Sequence, residues 1–264
     1  MANYGPFDDI EVTVDNFVAT VEIQRPPFNF FDYALIQQIA DAFEAFDKDS
    51  GVRSIVLAAQ GKAFCAGANF GDRSRSSENS DSGNHLYVEA VRLFRTSKPV
   101  VGAMQGAAIG GGLGLAMMPD FRVGCPESRF SANFTRLGFY PGFGLTYTLP
   151  RLIGEKNAEL MFYTSRRIKG EDALRLGILD AIVPQDEVRS AAIAMATEIA
   201  EASPLGVTEA RKTMRHNIAD KVREATDREL EIQNRLRVTK DFQEGVKAMS
   251  ERRVPNFTGT WDAA

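Results

Sequence analysis

Two short apolar segments, each followed at once by a glycine-containing loop, constrain the fold of this chain more than any other feature. The segments are Ser54–Ala59 and Val100–Met104, and a stretch with helical spacing lies between them. Strand–helix–strand order of this kind favours parallel pairing of the two strands. The loops that follow, 61–70 and 106–114, therefore leave successive strand ends, where each can supply groups to one site.

The composition of the loops indicates which groups they supply. Small residues let the backbone approach a ligand closely, and the second loop starts a helix whose first N–H groups are unpaired and favour an oxyanion. Neither loop is a nucleotide motif, because no Lys-Ser/Thr pair follows the glycines and the run 110–114 does not give G-x-G-x-x-G. A single glycine run is often explained by tight helix–strand packing, but two such loops at successive strand ends can each supply one N–H group to the same oxygen atom.

The rest of the chain predicts an α/β fold. Residues 10–23 alternate as a hairpin that turns at Asp15-Asn16, and Asp32 is a plausible N-cap for the helix that follows. Further strands are predicted at 121–123 and 180–183, and helical spacing prevails after Glu187. We predict a core over 1–190 and a helical region over 191–264. The polar run 72–84 is either a lid beside the first loop or a solvated loop without a role.

Composition excludes several classes of function. The chain has 264 residues, 44% of them apolar, and a net charge of −4 without a basic half, so no nucleic-acid partner is expected. No apolar stretch approaches the ~20 residues of a membrane span, and no secretion signal opens the sequence. We therefore expect a cytoplasmic protein that does not bind membranes. Two cysteines and two histidines without close grouping predict no metal site.

A series of short motifs extends along nearly the whole chain. They are Arg25-Pro26-Pro27-x-Asn29, Ala63-Phe64-Cys65-Ala66-Gly67-Ala68, Lys98-Pro99-Val100, Gly106–Gly114, Asp120-Phe121-Arg122, Phe130-Ser131, Arg136-Leu137-Gly138, Pro141-Gly142-x-Gly144, Leu152-Ile153-Gly154, Ala173–Val183 and the tail from Glu244-Gly245 to Pro255-Asn256-Phe257. In this order they resemble the enoyl-CoA hydratase/isomerase family, the crotonase superfamily. So many ordered pieces make a chance match implausible.

The resemblance implies a crotonase-like spiral of ββα repeats with a C-terminal helical trimerisation region. It further implies a homotrimer or a dimer of trimers, and an acyl-CoA thioester substrate that brings its own coenzyme A, with no other cofactor.

The resemblance also implies roles for individual residues. The backbone N–H groups of Ala68 and Gly111 correspond to the family's oxyanion hole. The remaining positions implied to contact substrate or coenzyme A are Arg25, Asn29, Ala66, Phe70, Gly110 and Phe134, together with Ala68 itself.

The chain departs from the family where hydratases carry glutamates. The two hydratase positions correspond to Gly114 and Phe134, and a third acidic position, used by some relatives, corresponds to Gly142. Addition of water across a conjugated double bond needs a base for the water and an acid for the α-carbon. Two-glutamate hydration is therefore disfavoured, whereas reactions through a thioester enolate remain open.

Other side chains are candidates for acid or base. Tyr140, beside Pro141, is the candidate acid, with a half-buried aromatic as the alternative. Asp72 is expected to be a solvated carboxylate, His85 a surface or capping histidine, and Glu89 an exposed helix charge. The cluster Phe134, Phe139 and Phe143 predicts either an apolar acyl pocket or simply core.

Three functions follow as hypotheses. The leading one is an acyl-CoA-transforming enzyme of hydratase/isomerase type with non-standard acid/base groups. The second is an acyl-CoA decarboxylase, because loss of CO₂ forms the enolate without a base. The third is a non-catalytic acyl-CoA-binding or structural paralogue. An open cavity beside Ala68 and Gly111 favours the two enzyme hypotheses. A pocket filled by Phe134 and its neighbours favours the non-catalytic paralogue.

Overall fold

The chain begins with the predicted hairpin. In the computed structural model, which describes residues 4–69 and 85–263, strands β1 (Ile10–Asp15) and β2 (Val18–Ile23) pair antiparallel, with Asp15 opposite Val18. Asn16 and Phe17 form the turn, both with positive φ. Phe17, predicted as the first residue of the second strand, therefore lies in the turn, because a two-residue hairpin loop of this twist requires left-handed residues at its centre.

The central strand–helix–strand prediction is confirmed. Helix α1 (Tyr33–Asp47) begins after Asp32, whose carboxylate accepts the Leu35 N–H at 2.9 Å. Strand β3 (Ser54–Ala59) pairs parallel with both β2 and β4 (Val100–Met104), and helix α2 (Tyr87–Leu93) precedes β4. All six residues of β3 and all five of β4 are buried, as expected for strands covered on both faces.

The remaining elements complete two sheets. In chain order they are β5 (Ala107–Ile109), α3 (Gly111–Ala116), β6 (Phe121–Gly124), β7 (Arg129–Ser131), a 3₁₀ turn (Thr135–Leu137), α4 (Leu145–Ile153), α5 (Glu155–Thr164), β8 (Ile168–Lys169), α6 (Gly170–Leu176), β9 (Ala181–Ile182) and a second 3₁₀ turn (Gln185–Glu187). The larger sheet has the strand order β1-β2-β3-β4-β6-β9, and the smaller has the order β5-β7-β8.

Four helices end the chain: α7 (Val188–Glu201), α8 (Pro204–Met214), α9 (Ile218–Arg237) and α10 (Lys240–Ser250). The first of them, α7, packs on the large sheet through Val188, Ala192 and Ala196, so the predicted boundary at residue 190 falls inside a helix of the core. Ser203 caps α8, its side chain accepting the Gly206 N–H, and Pro204 is the first helical residue. In the described ranges, no helix is long and apolar enough to cross a membrane.

Candidate active site

The two glycine-containing loops lie side by side and are joined by backbone hydrogen bonds. Cys65 pairs with Ala108, with the Cys65 N–H bonded to the Ala107 carbonyl and the Ile109 N–H bonded to the Cys65 carbonyl, each at 3.0 Å. On its other side the first loop meets the chain before α1, where the Phe31 N–H donates to the Gly67 carbonyl at 3.0 Å. The first loop is thus held as a short irregular strand between two neighbours.

Glycine is required at the point where the loops approach most closely. Gly67 has φ +88°, and a Cβ there would lie 2.8 Å from the Ile109 carbonyl and 3.5 Å from the Gly111 nitrogen. A Cβ on Gly112 would overlap the Cys65 carbonyl. A side chain at either position would push the loops apart, so these glycines bring the backbone of residue 68 close to the start of α3.

The N–H groups of Ala68 and Gly111 remain without a hydrogen-bond acceptor. Ala68 follows Gly67 in the first loop, and Gly111 is the first residue of α3, whose early N–H groups have no partner within the helix. Across residues 4–69 and 85–263, neither group donates to a carbonyl or a side chain. Two unpaired donors therefore lie where the loops meet.

Both residues line one cavity of about 500 Å³. Ala66, Gly110 and Phe134, which the sequence also predicted to contact substrate, line it as well, whereas Phe70 lies outside the described residues, as does Asp72. Much of the wall is apolar. Apolar side chains from four parts of the chain contribute to it: Phe30, Phe31, Leu86, Phe134, Leu137, Phe139, Phe242, Val246 and Met249. No carboxylate lines the cavity within the part of the chain that the structure describes.

Aromatic side chains fill the space at two of the positions where the family resemblance expects acids. A Cβ on Gly114 would overlap the Cβ of fully buried Phe143 and lie 2.9 Å from its Cγ. A Cβ on Gly142 would overlap the Tyr87 hydroxyl and the Gln233 amide. At the third position, Phe134 presents its ring to the cavity. Phe143 thus belongs to the core, while Phe134 and Phe139 form part of the cavity wall.

Helix α9 holds the loop 140–146 that carries Phe143. Gln233 donates from Nε2 to the carbonyls of Tyr140 and Pro141, at 3.0 and 3.2 Å. One turn earlier, the Glu229 carboxylate accepts the N–H groups of Gly144 and Thr146, at 2.8 and 3.0 Å, together with the Thr146 hydroxyl. Burial raises the pKa of Glu229 to about 7 in spite of these donors. The loop is therefore fixed by two buried side chains of α9.

Tyr87 joins α2 to this network. Its hydroxyl donates to Gln233 Oε1 at 3.0 Å, and its ring meets Phe143 edge-on, with 6.4 Å between centroids. Burial raises the pKa of Tyr87 well above its usual value, and nearby Glu229 adds to the effect. The phenol therefore keeps its proton at neutral pH.

His85 lines the cavity, so the expectation of a surface histidine is wrong, whereas the alternative of a capping histidine agrees with its contact at the start of α2. Its Nδ1 accepts the Tyr87 N–H at 3.3 Å, and its ring packs edge-on against that of Tyr87. Burial, aided by the positive charge of Arg237, lowers the pKa of His85 to about 4. The imidazole is therefore neutral at physiological pH.

Arg25 and Asn29, predicted to lie beside coenzyme A, direct their side chains into the protein. The Arg25 guanidinium forms ion pairs with Asp9 and Asp32. Asn29 is fully buried, with its amide nitrogen 2.8 Å from the carbonyls of Gln60 and Ala63. These side chains stabilise the segment that leads to Phe31, so any contact with the substrate falls to the backbone.

Tyr140, the candidate acid from sequence, does not line the cavity in the described structure. It lines a separate hollow with Tyr147, Lys221 and Glu224, and contributes its carbonyl to Gln233. The reason is the local chain direction: the carbonyls of Tyr140 and Pro141 face α9, and the half-buried tyrosine lies in the hollow between its loop and that helix. Tyr87 supplies the phenol in the cavity instead.

One smaller prediction is also wrong. Glu89, expected as an exposed charge, is buried, and it pairs with Arg92 and accepts the Tyr33 hydroxyl at 2.7 Å. Cys65 is fully buried, and burial raises the pKa of its thiol to about 12. A thiol that keeps its proton is a poor nucleophile, so Cys65 serves the packing of the loops.

Sequence reasoning missed Tyr87, Gln233 and Glu229. None of them belongs to a motif, and they reach the site from helices far apart in the chain. One signal was present: Thr226, Glu229 and Gln233 recur at helical spacing on an otherwise charged helix, and all three are buried. Polar residues that recur at helical spacing on the buried face of a helix indicate polar contacts in the interior.

Comparison with known proteins decides the family. A sequence model of the enoyl-CoA hydratase/isomerase family matches residues 13–260. The chain belongs to the enoyl-CoA hydratase/isomerase family. Among its relatives is a probable enoyl-CoA hydratase of Bacillus subtilis, 31% identical over 257 residues that cover 95% of this chain and 98% of that protein. Another is a trans-2-decenoyl-[acyl-carrier-protein] isomerase of Streptococcus mutans, 29% identical over 260 residues that cover 96% and 99% of the two chains.

Solved structures confirm the crotonase fold. An enoyl-CoA hydratase/isomerase from Pseudoalteromonas atlantica superposes with a TM-score of 0.86 at 26% identity, covering 95% of this chain and all of that one. An enoyl-CoA hydratase from Mycobacterium avium superposes with a TM-score of 0.83 at 27% identity, covering 96% of this chain and all of that one. The protein is therefore an enzyme of the hydratase/isomerase family with the crotonase α/β fold and a helical C-terminal region.

Proposed function

We propose that this protein transforms acyl-CoA thioesters by holding the thioester oxygen between the N–H groups of Ala68 and Gly111 and stabilising the enolate. The observation that carries the proposal is the pair of unpaired donors where two joined loops open into one cavity. An enolate oxygen carries more charge than the ground-state carbonyl, so preorganised donors stabilise it selectively. Coenzyme A enters as part of the substrate.

The cavity favours an enzyme over a non-catalytic binder. Phe134 stands at its wall, and about 500 Å³ remains open beside Ala68 and Gly111. That volume lies within the range of small-molecule sites, roughly 300–1,000 Å³. Titratable groups, Tyr87 and His85, also reach it.

The reaction proposed is not two-glutamate hydration. No described carboxylate lines the cavity, and Phe143 fills the space beside Gly114. Double-bond migration with an unconventional base is one candidate. Decarboxylation of a malonyl-type thioester is the second, favoured by the same lack of a carboxylate base, since departure of CO₂ leaves its electron pair in the enolate.

A homotrimer or a dimer of trimers is proposed as the assembly. Helix α8 has no buried residue within the single chain, and it exposes Leu205 and Met214. Apolar side chains on such a helix are typical of a surface covered by another subunit.

The test combines a substrate panel with two variants at one position. Wild-type protein is incubated with 2-enoyl-, 3-enoyl- and malonyl-type CoA thioesters, and mass spectrometry identifies any product. Gly111→Pro and Gly111→Ala both place a Cβ against the Phe31 ring, but only proline removes the N–H. Loss of one oxyanion donor costs about 10²–10³ in kcat, so we expect the proline variant to be slower than the alanine variant by that factor.

Two results would count against the proposal. Equal turnover by the two folded variants would remove Gly111 from the oxyanion hole. Rapid hydration of crotonyl-CoA, as the main activity of the wild type, would show that the missing carboxylates are replaced by a full hydration apparatus.

A further inference from the structure

Tyr87 has a fixed position among the polar groups of the cavity. It is the first residue of α2, and its hydroxyl donates to Gln233 Oε1. Because Gln233 Nε2 donates to the carbonyls of Tyr140 and Pro141, Oε1 is the atom that faces Tyr87. Burial raises the pKa of Tyr87, and the backbone N–H of Phe143, which faces the phenol oxygen, offsets this effect only in part. Gln233 is therefore a positioning residue for Tyr87.

The phenol also occupies the space of a missing acid. A side chain on Gly142 would project onto the Tyr87 hydroxyl, and Phe143, which packs edge-on against Tyr87, fills the space beside Gly114. A hydroxyl from α2 thus lies where the family pattern has a carboxyl group on the 140–146 loop.

The other described polar groups of the cavity are poorer proton donors. Asn69, Asn133 and Gln233 carry amides and Arg237 carries a guanidinium, and neither kind of group is a common general acid. Ser250 donates its hydroxyl to the Lys247 carbonyl at 2.7 Å. His85 is neutral, because its pKa is lowered to about 4. The phenol is the remaining acid.

We propose that Tyr87 is the proton donor to the carbon of the thioester enolate, an inference that rests on the proposed function. In this step the Oη–H bond breaks and a C–H bond forms at the enolate carbon. The enolate electron pair forms the new bond, and the thioester C=O is restored. The phenolate that remains faces the Phe143 N–H and regains a proton from water.

A single-atom deletion tests this role. Tyr87→Phe keeps the ring and removes only the hydroxyl, and Tyr33→Phe is the matched control, because Tyr33 also donates to a buried partner, Glu89, but does not line the cavity. Each variant is assayed on whichever thioester of the panel the wild type converts. Loss of a general acid typically costs about 10²–10⁴ in rate. We expect a fall in kcat of about 10² or more for Tyr87→Phe with KM little changed, and none for Tyr33→Phe.

Solvent deuterium separates proton delivery from a structural role. In D₂O, the wild type is expected to add deuterium to one face of the new C–H carbon, read by NMR of the product. Tyr87→Phe is expected to lose this facial selectivity, because water then supplies the deuteron from either side. Wild-type rate and selectivity in Tyr87→Phe would overturn the assignment of Tyr87 alone. A wild type inert towards every thioester would overturn the proposed function and this inference together.

Discussion

The cavity has two walls that are built in different ways. On one side, the donors of Ala68 and Gly111 belong to the backbone, and hydrogen bonds between adjacent loops hold them. On the other side, Tyr87 and Gln233 line the cavity with their side chains, the buried ring of Phe143 packs behind them, and helix α9 from the last part of the chain supplies Gln233. The backbone wall depends on the glycines that keep its two loops close. The chemistry of the side-chain wall depends on the identity of its side chains.

This difference separates two roles in the proposed function. In that proposal the backbone wall stabilises a thioester enolate, whatever the reaction. The proposed proton donor comes from the other wall, where aromatic residues fill the space beside Gly114 and Gly142. A substitution in the side-chain wall should therefore alter stability and proton transfer and leave the glycine-containing loops 61–70 and 106–114 in place.

The largest expected effect concerns Glu229, which anchors the 140–146 loop. Its pKa is raised from the usual 4.5 to about 7, so the folded state holds a proton that the unfolded state has released between these values. The contribution of this proton to the free energy of unfolding is fully present below about pH 4.5 and is lost as the pH rises to about 7. Above that pH, Glu229 makes no further change to the free energy of unfolding. The free energy of unfolding should fall by up to about 3 kcal/mol over this window.

Urea unfolding of the wild type and of Glu229→Gln at several pH values measures this effect. The glutamine still accepts one of the N–H groups of Gly144 and Thr146 but does not titrate. The difference in unfolding free energy between the two proteins should therefore depend on pH between 4.5 and 7. A difference that is constant over this range would show that Glu229 is ionised throughout.

A smaller effect is expected where the two walls meet, at Gly114. Gly114→Ala places a Cβ against Phe143, and overpacking costs about 1–3 kcal/mol, offset by up to about 1 kcal/mol of helix propensity. We expect a net loss of about 1–2 kcal/mol in unfolding free energy. Gly206→Ala in α8 is the control, since its Cβ meets only Ser203 at 3.6 Å. Gly206→Ala should be neutral or stabilising. A Gly114→Ala protein as stable as this control would show that Phe143 moves aside at little cost in free energy.

The sequence predicts the backbone wall well and the side-chain wall poorly. Local patterns, which act over a few neighbouring residues, predict several elements. Alternation predicts the hairpin, apolar runs predict strands β3 and β4, and cap residues mark the starts of helices α1 and α8. The loops of Ala68 and Gly111 follow from glycines at strand ends. Tyr87 and Gln233 meet across 146 positions of the chain, and no local pattern encodes such a contact. Nearness to the Pro141 motif favours Tyr140 as the acid in the sequence, but in the fold Tyr140 lines a separate hollow.

The most direct test of the backbone wall needs no turnover. Butyryl-CoA labelled with ¹³C at the carbonyl is bound to wild type, Gly111→Ala and Gly111→Pro, and isotope-edited infrared spectra record the carbonyl stretch. If the N–H groups of Ala68 and Gly111 hold the oxygen, the stretch moves to lower frequency in the wild type and in Gly111→Ala and returns part of the way in Gly111→Pro. A bound carbonyl that absorbs at its solution frequency, or equal shifts in all three proteins, would contradict the account.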